Sequence, residues 1–435
     1  MMELKMTLRN KDYKYRLLDS RIEKLLKAFG AVEIVGSMWC GKTWTADAHG
    51  NSKISLATKN VRDLVAADNS LAFEGEYPHV IDEWQEVPSL WDETRMKIDA
   101  AGGRRGLFIL TGSSTPVKDE VIHSGTGRIA RVRLRPMSLF ETGDSDGRVS
   151  LSGLFEDDFK QFQVSTGLRD IAANICRGGW PGILPLDTDS AMLTPLQYLD
   201  TFISSTSERA GFDEHRIRRL MVSLARNIGQ SVTYHTLASD MVEGNISDKR
   251  ELVNRQQIEC MLSHLKRHFL VEDLGGWDAP LRSKSRVRLK PKRCFVDPSL
   301  PAALLGVNEN RLLEDAQMFG KLFEELCLRD LRILVSTMDL ALPDSVKYYS
   351  DSDNLEVDAI IELRDGRWAA IEIKLGDNKV DEAVNNLMRL KKKIAANPLA
   401  QNKEPSFLAV LVGKTDFCRR TPEGVFVIPV SSLGK

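Results

Sequence analysis

The segment GSMWCGKT at positions 36–43 matches the pattern G-x-x-x-x-G-K-[ST]. It follows the apolar run AVEIV and precedes a helical pattern, so its context is strand, loop and helix. The glycines of such a loop allow a tight turn, and backbone N–H groups at the start of the helix surround phosphate groups. We expect Lys42 to reach the β- and γ-phosphates of a nucleotide and Thr43 to bind its Mg²⁺. A glycine-rich turn with a lysine nearby is the alternative. The residues predicted to hold the nucleotide are Gly36, Ser37, Met38, Trp39, Cys40, Gly41, Lys42 and Thr43.

Two acids end a second apolar strand, in the segment HVIDEWQEVP. Asp82 at the carboxyl end of a strand can hold the Mg²⁺ shell, and the adjacent Glu83 can polarise the attacking water as a general base. Two solvated acids at a strand end are the alternative. A third strand, LFILTGSS, ends in small polar residues that could orient water or form an ordinary turn, namely Thr111, Ser113 and Ser114. Together these segments predict binding and hydrolysis of ATP with Mg²⁺.

Arg128, in the segment GTGRIARVRLRP, could act as an arginine finger. An arginine supplied to a neighbouring subunit's nucleotide spreads positive charge over the transferring phosphoryl oxygens. Such a role implies a homo-oligomer. The other cations of the segment are equally positive, so a solvated basic strand is the alternative; they are Arg131, Arg133 and Arg135.

The last third of the chain carries a second set of residues that could do chemistry. Asp358 lies on one predicted strand, and Glu372 and Lys374 share one face of the next. Two carboxylates can bind Mg²⁺ or Mn²⁺, and a lysine beside them can activate water for attack on a phosphodiester. Glu324, on the preceding helix, could complete the metal shell. This spacing resembles the PD-(D/E)xK nuclease pattern; the alternative is an ion-paired cluster that fixes the fold without cutting anything.

Six cations alternate with uncharged residues along one stretch of the chain. In an extended strand they would all point to the same face, with no acid between them. Such a one-faced basic ribbon is typical of a surface that binds nucleic-acid phosphates without choosing a sequence. Protection of an exposed strand edge is the alternative. The predicted DNA-binding residues are Arg282, Lys284, Arg286, Arg288, Lys290 and Lys292.

The elements that must position these residues are recognisable from apolar patterns. In the first third, strands are predicted at 32–35, 53–56, 79–81, 107–110 and 129–134, with helices at 37–48, 61–67 and 89–100. Strands alternating with helices predict an α/β fold with a mostly parallel, helix-covered sheet. The segment GGWPGILP at 178–185 cannot lie inside a helix, because glycine and proline interrupt helices.

Further along, three helices precede two extended pieces, which is the layout of a winged helix; these elements lie at 215–227, 233–241, 251–267, 269–274 and 287–296. The last third predicts a further α/β unit with helices at 316–334 and 379–395 and strands at 346–350, 356–363, 368–374, 406–412 and 425–429. We therefore predict a P-loop ATPase domain at 1–150, a helical connector or lid at 151–214, a winged-helix-like domain at 215–305 and a final α/β domain at 306–435.

Composition narrows the class of protein. The net charge of −1 excludes a globally basic nucleic-acid binder, so any such surface must be a local patch. The six cysteines are scattered without a C-x-x-C pair, which indicates neither a zinc site nor a disulfide framework and fits a reducing compartment. No stretch has the roughly 18 apolar residues of a membrane span, and no signal peptide is recognised. We expect a cytoplasmic protein without membrane contact.

An ordered set of segments resembles a known family. VIDEWQEVPSLWDETRMKID, GLFILTGSS, GRIARVRLRPMSLFE, GGWPGIL, KRCFVDPSL, GKLFEELC and LEVDAIIE followed by IEIK are similar to prokaryotic AAA+-like P-loop ATPases with a C-terminal restriction-endonuclease-like domain of uncharacterised function. The resemblance implies ATP binding, hydrolysis and a role involving DNA or defence. It also implies that domain 306–435 is restriction-endonuclease-like. The chain departs from the family between the P-loop glycines, where Ser37, Met38, Trp39 and Cys40 replace Pro-Arg-Gln-small.

The sequence therefore predicts an ATP-hydrolysing AAA+-like protein that acts on or near DNA. Two alternatives stay open. One is an ATP-gated, metal-dependent DNA nuclease that uses Asp358, Glu372 and Lys374, with a second Mg²⁺ or Mn²⁺ bound by the carboxylates. The other is a nucleotide-sensing scaffold without catalytic activity.

Overall fold

The structure is a computed structural model that describes residues 8–115, 125–242, 253–284, 286 and 289–435, without the side chains of residues 188, 189, 208 and 209. The chain forms two compact units. The first consists of Met1–Pro136, Trp180–Gly182 and Leu265–Leu270, and the second of Met137–Gly179, Ile183–His264 and Val271–Lys435. The four predicted domains divide the chain differently, and they stay a prediction.

The first unit is built on a five-stranded parallel sheet. Its strands are β1 (Ala31–Val35), β2 (Ser52–Ser55), β3 (His79–Asp82), β4 (Phe108–Gly112) and β5 (Ile129–Arg133), in the order β2-β3-β4-β1-β5. The three inner strands, β1, β3 and β4, are buried along their whole length, as expected for a parallel sheet covered on both faces. The predicted strands and the parallel α/β class are confirmed. The carboxyl ends of all five strands share one edge, which is where ligands bind in such sheets.

Helices of the first unit cover the sheet and extend the core on both of its faces. They are Asp19–Ala28, Lys42–His49, Lys59–Ala67 and Leu90–Ala100, with short 3₁₀ turns at Asn69–Phe73 and Trp84–Glu86. The helix predicted from residue 37 begins instead at Lys42, because the residues before it form the loop at the end of β1.

The second unit contains a seven-stranded mixed sheet and two further strand pairs. The strands are β6 (Val149–Ser150), β7 (Phe162–Gln163), β8 (Val271–Leu274), β9 (Lys292–Phe295), β10 (Ala341–Ser350), β11 (Glu356–Leu363), β12 (Trp368–Gly376), β13 (Phe407–Lys414), β14 (Phe417–Arg420), β15 (Phe426–Pro429) and β16 (Leu433–Gly434). The order in the large sheet is β10-β11-β12-β13-β15-β14-β7. The pairs β10–β11 and β11–β12 are antiparallel, whereas β12, β13 and β15 run parallel. The pairs β6–β16 and β8–β9 stand apart from this sheet.

The remaining helices include those predicted at 215–227, 233–241, 251–267, 316–334 and 379–395, whereas the short helices at 139–142, 299–304 and 309–314 were not predicted. In full, the remaining helices are Leu139–Thr142, Leu151–Leu154, Leu168–Arg177, Thr188–Ala210, Glu214–Arg226, Tyr234–Asp240, Arg255–Arg267, Ser299–Leu304, Glu309–Glu314, Ala316–Ser336 and Val380–Ala396. The long helix Ala316–Ser336 is buried along most of its length. Within the described parts of the chain, no helix combines the length and apolar character needed to cross a bilayer.

The predicted basic ribbon differs from the structure. Among the described residues of the run expected to be extended over 287–296, the strand is Lys292–Phe295, and residues 281, 282 and 284 lie in turns. Arg288 lies outside the described residues. The three helices and the antiparallel pair β8–β9 occur in the predicted order, but the winged-helix assignment itself stays a prediction.

Candidate functional site

The loop that follows β1 has the backbone of an anion cradle. Trp39 and Gly41 adopt left-handed conformations, with φ of +68° and +99°. Left-handed residues that alternate with others turn backbone N–H groups toward a common concavity, as in phosphate-binding nests. The helix Lys42–His49 begins immediately after Gly41, so its positive end faces the same loop. A Cβ on Gly36 would lie 2.2 Å from the carbonyl oxygen of Leu134, so this position accepts only glycine.

Lys42 is buried inside this loop. Its Nζ donates to the carbonyl oxygen of Ser37 at 2.9 Å. The ammonium group therefore lies within the curve of the loop, where the sequence pattern requires it.

Asp82 lies at the carboxyl end of β3 and gathers three hydroxyl groups. Its Oδ1 accepts from Thr43 Oγ1 at 2.8 Å and from Thr111 Oγ1 at 2.7 Å, and its Oδ2 accepts from Ser55 Oγ at 3.0 Å. The two residues predicted to bind Mg²⁺, Thr43 and Asp82, are thus in direct contact although they come from different elements. A hydroxyl and a carboxylate fit Mg²⁺, which prefers oxygen ligands and takes the rest of its shell from phosphates and water.

Glu83 follows directly and is held in an unusual conformation. Its φ of +57° lies in the left-handed region, which costs a non-glycine residue free energy and is often found at functional positions. Its backbone N–H donates to Thr111 Oγ1 at 3.0 Å, and its Oε2 accepts from Ser113 Oγ at 3.0 Å and from Gln85 Nε2 at 2.5 Å. The end of β4 therefore orients both the backbone and the carboxylate of Glu83.

Sequence reasoning missed two residues of this site, Gln85 and Arg16. The buried Arg16 donates to the carbonyl oxygens of Cys40 at 2.9 Å and Arg135 at 2.6 Å. It therefore ties the phosphate loop to the segment that follows β5. No local pattern indicates this role, because the partners lie 24 and 119 residues away.

Arg128 lies just before β5 and is half exposed. Its Nε donates to Asp99 Oδ1 at 3.0 Å. The proposed finger role concerns a neighbouring subunit, so it stays a prediction.

A second polar cluster forms where β11 and β12 pair. Lys374 Nζ lies 2.5 Å from Glu372 Oε2 and 3.5 Å from Asp358 Oδ2, as the predicted hairpin requires. The backbone N–H of Ile373 also donates to Asp358 Oδ2 at 2.7 Å. The structure therefore brings together the three residues of the predicted nuclease pattern.

Lys292 supplies a second ammonium group to this cluster. Its Nζ lies 3.4 Å from Glu324 Oε1 and 2.5 Å from Glu356 Oε1, and its side chain is nearly inaccessible to solvent. Lys292 and Glu356 also line a cavity of about 460 Å³. The carboxylates of the cluster are thus paired with lysines.

Burial dominates the electrostatics of the cluster. It raises the pKa of Glu372 to about 8 and that of Glu324 to about 7, and in both cases Asp358 adds to the effect. Burial works against the charge of Lys374, but Asp358 and Glu372 outweigh it, so the pKa of Lys374 is raised.

The second metal site is not supported. Among the residues that the structure describes, no group of three or more His, Cys, Asp and Glu side chains is arranged to hold a metal ion. The predicted set of Asp358, Glu372 and Glu324 is occupied by ammonium groups from Lys292 and Lys374, which provide the positive charge that a metal would bring.

Of the predicted DNA-binding cations that the structure describes, two lie in ion pairs and not on a shared basic surface. Arg286 donates from both terminal nitrogens to the carboxylate of Glu362, at 2.7 Å each, and its guanidinium lies over the ring of Trp277. Lys292 points into the carboxylate cluster. Acids distant in sequence pair with these two cations, whereas Arg282, Lys284 and Lys290 are exposed.

One known family model covers the part of the chain that contains the phosphate loop, Asp82 and Glu83. Residues 29–143 match an AAA domain. This AAA domain contains the loop at 36–43, Asp82, Glu83 and Arg128, and the match supports a P-loop ATPase with ATP binding and ATPase activity. Residues 168–311 and 319–433 match two domains of unknown function, DUF8612 and DUF4143. The restriction-endonuclease-like assignment of the last domain is not shown by these matches.

Solved structures resemble the chain only distantly. The Walker-type ATPase paby2304 of Pyrococcus abyssi is 13% identical with a TM-score of 0.42, over 70% of this chain and 99% of that one. The Aeropyrum pernix Orc1 protein in complex with DNA is 12% identical with a TM-score of 0.27, over 69% and 95%. The replication initiator DnaA bound to AMPPCP and single-stranded DNA is 13% identical with a TM-score of 0.24, over 57% and 85%. These scores are too low to establish a shared overall fold. A search of curated proteins found no match.

Proposed function

We propose that this protein hydrolyses ATP at the carboxyl edge of its parallel sheet, with Glu83 as the general base. The observation that carries the proposal is the 2.8 Å contact between Thr43 Oγ1 and Asp82 Oδ1. This contact joins the end of the phosphate loop to the end of β3, so the two oxygens that we propose as magnesium ligands are neighbours. Glu83, the proposed base, is the residue that follows Asp82.

Each residue has a distinct part in the reaction. Lys42 binds the β- and γ-phosphates from within the loop, while the backbone N–H groups from Gly36 to Thr43 surround the phosphate oxygens. Thr43 and Asp82 would hold Mg²⁺, which would neutralise charge on the β- and γ-phosphates. Glu83 takes a proton from the attacking water, in an orientation set by Ser113 and Gln85.

The substitution Glu83→Gln tests the proposal. It keeps the size of the side chain but removes the base, so we expect kcat for ATP hydrolysis to fall about 100-fold or more while the Kd for MgATP stays within about twofold. Phosphate release and fluorescent-nucleotide titration measure the two quantities.

Glu86→Gln is the matched control. Glu86 lies in the 3₁₀ turn that follows Glu83 but pairs with Arg62 at 2.5 Å, so its substitution should leave kcat unchanged. Full turnover in Glu83→Gln would overturn the role of Glu83. A wild-type protein that binds no nucleotide in magnesium buffer would overturn the whole proposal and leave the nucleotide-sensing scaffold without support as well.

We further propose that the ATPase acts on or near DNA. The exposed cations Arg282, Lys284 and Lys290 support a local phosphate-binding surface on the second unit. A DNA nuclease is the second candidate function. The juxtaposition of Asp358, Glu372 and Lys374 favours it, whereas the pairing of the carboxylates with lysines does not favour the second metal ion that it would need.

A further inference from the structure

Strand β1 carries a buried acid, Glu33, two residues before its end. All five residues of β1 are buried, and Glu33 is completely inaccessible. An ionised carboxylate in such a position is costly unless it is paired and hydrogen-bonded. Burial raises the pKa of Glu33, which means that keeping its carboxylate charged in the folded protein costs free energy.

Both carboxylate oxygens of Glu33 have partners. Oε2 accepts from Arg131 Nε at 2.5 Å, from the neighbouring strand β5. Oε1 accepts from Trp84 Nε1 at 3.1 Å, on the opposite side. The ion pair with Arg131 offsets part of the cost of burial, but it does not require an indole N–H on the other oxygen.

Trp84 is the residue immediately after Glu83. Its indole is buried and lies 4.9 Å from the ring of Trp91, measured between centroids. To reach Glu33, the indole must pass over β4, which separates β3 from β1. Gly112 leaves room for it: a Cβ there would lie 3.3 Å from Trp84 Nε1 and 3.1 Å from Gln85 Oε1. A Cβ at the end of β4 would therefore press against the indole N–H that contacts Glu33.

We propose that Glu33 is a positioning residue for ATP hydrolysis, acting through Trp84 on Glu83. The inference rests on the proposed function, since it assigns a role to Glu33 only if Glu83 is the base. The left-handed backbone of Glu83 persists only when its surroundings hold it, and the indole N–H of Trp84 fixes the next residue to β1. Gly36 follows the end of the same strand, so one strand supports both the phosphate loop and the turn that bears the base.

The test compares Glu33→Leu, Glu33→Gln, Trp84→Phe and the double variant Glu33→Leu/Trp84→Phe in the full chain. Leucine removes both acceptors, and phenylalanine removes the indole N–H while retaining an aromatic ring. We expect Glu33→Leu and Trp84→Phe each to lower kcat at least about tenfold while KM for ATP changes less than about twofold, since a small displacement of a base slows chemistry more than binding. Glu33→Gln keeps one acceptor oxygen, which Trp84 Nε1 and Arg131 Nε both face, so its kcat should lie between those of wild type and Glu33→Leu.

The double variant distinguishes positioning from general stability. If Glu33 acts through Trp84, the double variant is no slower than either single variant, because each single substitution already removes the hydrogen bond between the two side chains. If the losses of kcat in the two single variants multiply in the double variant, the proposal is overturned. It is also overturned if Glu33→Leu folds and has a normal kcat, or if Glu33→Gln is as slow as Glu33→Leu. Should Glu33→Leu fail to fold, Trp84→Phe with normal kcat would overturn it equally. Absent turnover in the wild type, or full turnover in Glu83→Gln, marks failure of the proposed function instead.

Discussion

Two carboxylates of the second cluster, Glu324 and Glu372, are buried deeply enough to retain protons near neutral pH. Their pKa values of about 7 and about 8 arise first from burial and then from the charge of Asp358. A carboxylate must lose its proton before it binds a metal ion. Below about pH 8 the protonated Glu372 is thus a poor ligand, and the ammonium groups of Lys292 and Lys374 occupy the space within the cluster.

This protonation gives the nuclease candidate a pH dependence. The folded pKa of Glu372 is raised, so the side chain is neutral below about pH 8 and charged above it. If the cluster cuts DNA, nicking of a supercoiled plasmid with Mg²⁺ should rise as pH increases from about 7 to about 9, and Asp358→Ala should abolish it. Asp381→Ala, at an exposed acid on the helix Val380–Ala396, is the control and should cut normally. Wild-type protein that leaves the plasmid intact at every pH would reject the nuclease candidate.

Lys292 shows why single residues of a site resist prediction. Its sequence neighbours place it in a run of cations, which favoured a phosphate-binding role. Its partners in space, Glu324 and Glu356, lie on other elements and far along the chain. Gln85 and Arg16 were missed because their roles depend on partners that the fold supplies, whereas Lys42, Thr43, Asp82 and Glu83 were found because a short pattern fixes their chemistry.

At the level of elements, the phosphate loop and its strands could be predicted because their signals are local. Buried parallel strands are apolar runs, and the pattern at 36–43 marks where β1 ends. The basic ribbon could not be predicted from such a local signal. Alternation of charged and uncharged residues predicts a common face only if the segment is an extended strand. The structure has a strand at Lys292–Phe295 and turns at 281, 282 and 284, so the alternation carries no common face there.

The exposed part of this segment still makes a testable prediction. Charge reversal by Arg282→Glu and Lys284→Glu should weaken binding to duplex DNA at all sequences, because lysine and arginine bind phosphates electrostatically. Fluorescence anisotropy over a series of salt concentrations should show the slope of log Kd against log salt falling by about 1 for each phosphate-binding cation removed. Lys392→Glu, at an exposed lysine on the helix Val380–Ala396, is the matched control and should leave affinity unchanged. DNA binding that does not respond to salt would contradict this surface.

At the scale of the whole molecule, the question is whether a neighbouring subunit contributes a residue to the nucleotide site. The proposed function assigns metal binding, the general base and a phosphate contact to Thr43, Asp82, Glu83 and Lys42, which all belong to one chain. The family that the sequence resembles has an arginine in the phosphate loop, whereas this chain has Met38 and Trp39 there, so the loop itself brings no arginine to the phosphates. Arg128 is the residue of the AAA domain that we predict to supply this charge from an adjacent subunit.

The ion pair that holds Arg128 does not oppose such a role. Its partner Asp99 lies at 3.0 Å, and both side chains are more than a third exposed. Exposed ion pairs contribute little to stability. Arg128 can therefore leave Asp99 at a small cost in free energy and bind the triphosphate of a neighbouring subunit. Arg95 binds the same carboxylate at 3.4 Å, which makes Arg95→Ala a closely matched control.

Mixing two inactive variants tests whether Arg128 acts between subunits. Lys42→Ala removes the phosphate-binding ammonium but keeps Arg128, whereas Arg128→Ala keeps the site but removes the finger, which typically contributes about 1000-fold or more to kcat. Each variant alone should turn over ATP slowly, and an equimolar mixture should recover much of the wild-type rate, because half-sites from the two chains combine at mixed interfaces. Arg95→Ala should be fully active on its own. A mixture no faster than the sum of its parts, measured by phosphate release at a protein concentration where light scattering detects oligomers, would show that Arg128 does not complete a neighbour's site.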